Sequence, residues 1–137
     1  MKISQKLDYA CRATVRLAKR YDGSAVVKLE DLAQREDISP SFLVQILNEL
    51  KRAGVVMSKR GKAGGYVLAR PPGLISLHDV VAAVEPDLLE VPHNSPGQSG
   101  PAVTHIFQRI SEGVNAHLEA ITLDTIATEA EAPMYFI

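Results

Sequence analysis

The sequence predicts a mainly α fold with one small β-hairpin and a long helix near its C-terminal end. Three observations predict it. Apolar residues recur at three- and four-residue steps through the first fifty positions. Two strand-like runs flank the glycine-rich tip Gly61-Lys62-Ala63-Gly64. A second apolar stripe, near a heptad in period, begins beyond residue 101.

From Gln5 to Tyr21 the residues Leu7, Ala10, Cys11, Thr14, Leu17, Ala18 and Tyr21 form one helical stripe, with Arg12, Arg16 and Arg20 together on another face. Asp22-Gly23-Ser24 breaks this helix, and Val26-Val27 is a candidate short strand. A second helix is expected over Leu29 to Glu36, with Leu29, Leu32 and Ala33 inward. The third has the clearest start: Ser39 suits the N-cap, and Pro40 suits the first helical position, where its missing N–H costs nothing. Leu43, Ile46, Leu47 and Leu50 form its buried stripe, and Gly54 is placed to end it. Ser41, Gln45, Asn48 and Arg52 lie opposite. An apolar back with a hydrogen-bonding front is what reading a DNA major groove requires.

The strand-like runs are Val55 to Arg60 and Gly65 to Arg70, and Lys59, Arg60 and Lys62 make their connection basic. Three helices followed by a basic hairpin define a winged helix-turn-helix, which Pro71-Pro72-Gly73 closes. Ser76 caps a further short helix carrying Leu77, Val80, Val81 and Val84. Residues 92–101 have the composition of a flexible loop. Beyond them Val103, Phe107, Ile110, Val114, His117 and Ile121 form a seam, widened by Ile106 and Leu118, that is expected to dimerise. Thr122 is placed to cap a last short turn before an apolar tail, Met134-Tyr135-Phe136-Ile137. The expected organisation is a winged-helix DNA-binding domain over 1–73, a connecting helix and loop over 74–100, and a dimerisation helix and tail over 101–137.

Charge separates along the same line. Residues 1–70 carry 14 Lys/Arg against 7 Asp/Glu, and residues 71–137 hold one basic residue, Arg109, against 9 acidic ones. A basic first half suits a polyanion. The single cysteine, Cys11, excludes an internal disulfide framework and suits a reducing cytoplasm, the expected location. No apolar run is long enough to cross a bilayer, and the first residues lack the apolar block of a signal peptide.

Three stretches carry a family resemblance: Lys6 to Ala10 on the first helix, Ile38 to Leu47 on the third, and Val56 to Ala69 across the hairpin. In these the chain resembles the bacterial winged-helix transcription regulators of the IscR/NsrR/CymR type, the Rrf family, as a member lacking the three-cysteine cluster motif. The resemblance implies a homodimer whose long helices cross and whose two winged helices read a roughly palindromic double-stranded site. It implies that Ser39, Ser41, Phe42 and Gln45 meet bases or phosphates. It also implies that Arg60 reaches towards the minor groove while Gly61 and Gly64 permit close backbone approach. Phe42 is not a choice the helical pattern makes, because it flanks the polar face. Val44 stands where some relatives carry a carboxylate. The expected DNA-binding set is Ser39, Pro40, Ser41, Phe42, Gln45, Asn48, Arg52, Lys59, Arg60, Gly61, Lys62 and Gly64.

Many such regulators sense through an iron–sulfur cluster held by three cysteines before the long helix. Residues 86–105 offer only His93 and His105 with acidic side chains, so no cofactor is predicted. An atypical metal or cluster site would have to draw on Asp8, Cys11, His93 and His105. An unidentified small molecule or partner protein is the favoured effector. A winged helix used for protein–protein contact is the rival function, and such modules commonly lose the basic wing kept here. Catalysis is not expected: Gly61, Gly64 and Gly65 belong to a hairpin and not to a strand-to-helix phosphate loop.

Overall fold

A computed structural model describes residues 2–93 and 95–131 of the chain. Helix α1 (Gln5–Lys19) opens on Ser4, whose Oγ accepts the Leu7 N–H at 3.1 Å. It stops two residues before the expected Tyr21. The Tyr21 N–H donates to the Ala18 carbonyl, and the Asp22 carboxylate then accepts the N–H groups of Ser24 and Ala25 at 2.9 and 2.7 Å. Those two bonds, that from Ala25 first, hold the Asp22 carboxyl below its ordinary range.

Helix α2 (Leu29–Glu36) has the expected bounds and ends on Asp37 in the left-handed region, φ 55°. Helix α3 (Pro40–Arg52) starts on Ser39 and Pro40 as the sequence predicts, although the Ser39 hydroxyl pairs with Ser41 Oγ at 3.0 Å instead of a backbone N–H. At its far end Gly54 adopts φ 80°, the Gly54 N–H donates to Lys51 and the Val55 N–H to Leu50. These are the paired bonds of a Schellman stop, which a left-handed glycine makes inexpensive.

The hairpin pairs β1 (Val56–Lys59) with β2 (Gly65–Leu68), antiparallel, Val56 opposite Leu68 and Lys59 opposite Gly65. Both strands are shorter than expected. Arg70 is drawn off instead, donating to the Gly54 carbonyl at 3.1 Å and pairing with Asp79 at 3.4 Å. The expected strand at Val26-Val27 is a single bridge, Val27 to Tyr66. A short 3-10 turn (Pro72–Leu74) leads to α4 (Leu77–Val84), whose start is a full capping box between Ser76 and Asp79.

Helix α5 (Gly100–Ala120) is 21 residues long, and only Gly100 of it is buried. A Cβ at Gly100 would collide with the Ser95 carbonyl, so glycine lets the preceding loop close onto the helix start. Beyond α5 the chain forms a nine-residue helix, α6 (Leu123–Glu131), where the sequence predicts only a short turn. Thr122 does cap it, Oγ1 accepting the Thr125 N–H at 3.2 Å. Leu123 is wholly buried, and α6 packs against α1. Two backbone bonds, Leu77 N–H to Ile121 and Leu123 N–H to Ile75, pin the chain there. One core therefore joins Leu7, Ala10 and Leu17 of α1 to Leu43, Ile46 and Leu47 of α3, to Val80 of α4 and to Leu123 of α6. The apolar tail lies outside the described residues.

Candidate nucleic-acid interface

The burial of Leu43, Ile46, Leu47 and Leu50 fixes the roll of α3, because residues on one face of a helix carry the rest round with them. Ser41, Gln45, Asn48 and Arg52 therefore lie exposed along the opposite side, with Ser39 and Pro40 exposed at the helix start. The roll places Phe42 half-buried at the edge of this row, where its ring meets the edge of Tyr9. Phe42, Gln45, Asn48 and Arg52 share a shallow hollow, of about 350 Å³, with Lys6 of α1. There Lys6 Nζ pairs with Glu49 at 2.7 Å, which neutralises the one carboxylate of α3. The helix face is thus left polar and cationic.

The hairpin supplies the second part. Lys59, Arg60 and Lys62 are all exposed at its tip. Gly61 has φ 98°, which only glycine adopts without strain, and the Gly64 N–H closes the turn on the Gly61 carbonyl at 2.9 Å. A side chain at Gly64 would run into the Lys59 carbonyl, so the tip can be this tight only with glycine there.

Two arginines of α1 are taken up in ion pairs within the chain. Arg16 Nε pairs with Glu36 at 2.9 Å, and Arg12 pairs with Asp8 at 3.0 Å while donating to the Glu36 carbonyl. They tie α1 to the end of α2. Two features escape a reading of the sequence: the Tyr9–Phe42 contact and the place of Lys28 beside the hairpin. The first needs two helices brought together, and the only hint of the second is the β-branched pair Val26-Val27.

The expected seam on α5 divides. Val103, Ile106, Phe107 and Ile110 are exposed, Phe107 and Ile110 at 55% and 54%. Val114 is half-buried and His117 exposed. Ile121 lies one residue past the helix, its carbonyl bonded to Leu77. No helix among the described residues is long and apolar enough to cross a membrane.

A polar helix face beside a basic, glycine-tipped hairpin is the arrangement of a winged-helix DNA-binding transcription regulator. The chain belongs to the Rrf2 family, described as iron-dependent transcriptional regulators, whose model matches residues 3–129. It is 33% identical to the regulator CymR of Bacillus subtilis over 141 residues, covering the whole of both chains. It is 38% identical to the regulator IscR of Cereibacter sphaeroides over 123 residues, 86% of this chain and 79% of that one. The solved structure of CymR, the global cysteine regulator of B. subtilis, superposes with a TM-score of 0.80 at 32% identity, over 94% of this chain and 98% of that one. The rival reading, a winged helix serving protein contacts, is not favoured by these likenesses.

The family's iron dependence is tested by the donor set. Among the described residues no three His, Cys, Asp or Glu side chains stand close enough to hold a metal. Asp8 is engaged by Arg12, His93 lies in the loop, and His105 is exposed on α5. Burial in α1, and next the charge of Asp8, push the Cys11 thiol up to about 11, so it stays protonated near neutrality. A cluster needs thiolates. The described residues of one chain therefore do not fit a thiolate-held cluster.

Proposed function

We propose that the protein is a homodimeric repressor that reads a roughly palindromic operator and acts in the cytoplasm without catalysis. One observation carries the reading: the α3 polar face and the wing cations are presented together, while the apolar stripe of α5 is exposed away from the core. Ser39, Ser41, Phe42 and Gln45, with Asn48 and Arg52 further along, meet bases and phosphates. Arg60 enters the neighbouring minor groove, with Lys59 and Lys62 on the backbone. Val44, half-buried beside this row, offers an apolar contact to a thymine methyl.

Val103, Phe107 and Ile110 meet the same residues of a second copy, which sets the spacing of the two half-sites. A dimer seated on a promoter blocks polymerase with no further contact. The signal is a small molecule or partner protein acting through the C-terminal half, and α6 on α1 offers it a packed route to α3.

The test is selection of binding sites from random duplexes, followed by the mass of the protein–DNA complex. A selected palindrome holding two protomers, whose occupancy silences transcription in a purified system, is the expected result. A single protomer on a site without symmetry would overturn the dimeric part.

A further inference from the structure

We propose that Lys28 completes a backbone-phosphate pocket, at the root of the wing, that holds one phosphodiester of the operator beyond those met by Lys59 and Lys62. The inference rests on the DNA-binding reading and adds a residue and a site to it. A hollow of about 460 Å³ lies between the start of α2 and the hairpin. Four cations line it, Lys28, Lys59, Arg60 and Lys62, against one carboxylate, Glu30. Lys28 is exposed and forms no side-chain cap bond at the start of α2, where the helix end itself favours an anion.

The backbone holds Lys28 in this place. The Val27 N–H donates to the Tyr66 carbonyl and the Tyr66 N–H to the Val27 carbonyl, both at 2.8 Å, so the segment before α2 is clamped to β2. The clamp depends on Gly65, because a Cβ there would stand 2.5 Å from the Val27 carbonyl oxygen. Lys59 is steadied from the same side, its Nζ 3.5 Å from the Ser24 carbonyl. The cations run from Lys28 up to the tip in continuity with Arg60. A duplex whose minor groove receives the tip therefore lays its backbone along this row. A diester carrying one charge, delivered by the strand, matches an open pocket with no deep wall.

The experiment measures operator affinity against salt for the full-length protein, Lys28→Gln, Arg60→Ala and, as a control on α5, Arg109→Gln. The log–log slope changes by about 0.9 for each phosphate no longer neutralised. Lys28→Gln is expected to make the slope shallower by about 0.9 per bound protomer and to leave the selected sequence unchanged, while Arg109→Gln matches wild type. A wild-type slope in Lys28→Gln beside a shallower one in Arg60→Ala would overturn the pocket and leave the DNA face standing. Wild-type slopes in both would overturn the two together. Titration with inorganic phosphate separates a free-anion site: saturable binding abolished in Lys28→Gln, with the DNA slope unmoved, would also overturn the proposal.

Discussion

The ring of Tyr9 on α1 meets that of Phe42 on α3 edge to face, centroids 5.6 Å apart at 84°. Arg12 also lies against the Tyr9 ring, its guanidinium carbon 5.1 Å from the ring centre, and Gln5 donates to the Tyr9 hydroxyl at 2.9 Å. Helix α3 is thus seated against α1 by an aromatic contact at the margin of its exposed polar face. Aromatic pairs of this geometry contribute about 0.5–1.5 kcal/mol beyond the area they bury.

Tyr9→Leu is therefore expected to lower operator affinity by more than its small loss of stability explains, because Phe42 loses its support. Tyr9→Phe keeps the ring and should retain most of the affinity. Comparing binding isotherms with urea midpoints separates the two effects. Unchanged affinity in Tyr9→Leu would show that the contact serves packing alone.

Leu123 makes a different prediction. Because it is fully buried beside α1, Leu123→Ala should cost about 2–5 kcal/mol, the usual range for a large-to-small core change. A loss near zero in denaturant unfolding would mean that α6 does not belong to the core.

Phe107 and Ile110 should behave in the opposite way. Both are half exposed on α5, so Phe107→Lys or Ile110→Lys is expected to leave the fold intact and break the dimer. Sedimentation at micromolar concentration would read out the shift to monomer, and an unchanged dimer would place the interface elsewhere.

Cys11 supplies a pH dependence. Its folded value of about 11 lies above the ordinary 9.0, so the folded state holds the thiol proton more tightly than the unfolded one. The associated stability is present below pH 9.0 and declines as pH rises towards about 11. Cys11→Ala should flatten that part of the stability curve. Alkylation of the native thiol should be slow at pH 7.5 and fast only on unfolding, whereas rapid reaction of the folded protein would contradict the assignment.

Much of this is legible in the chain because local signals agree with the tertiary result. Ser39-Pro40 and Gly54 mark both ends of α3, and the four apolar residues between them fix which side faces out. The hairpin is equally plain, since its tip needs glycine at Gly61 and Gly64. The rest depends on partners far apart in sequence. Arg70 ends the strand because Asp79 and the Gly54 carbonyl draw it away. Leu123 gives no periodic signal of its own until α1 is beside it. Lys28 reads as an ordinary surface lysine until the Val27–Tyr66 clamp gives it neighbours. Phe42 enters through family resemblance, and its half-buried seat explains why helical periodicity passes over it.

The most direct test of the central claim is site selection with wild type, Gln45→Ala, Arg60→Ala and the double variant, each assayed for affinity at several salt concentrations. If α3 reads bases and the wing supplies charge to the minor groove and backbone, Gln45→Ala will relax the preference at one position in each half-site. Arg60→Ala will weaken binding to all sequences and flatten the salt dependence. A double variant that bound the wild-type operator with undiminished affinity and selectivity would contradict the assignment of this face to DNA.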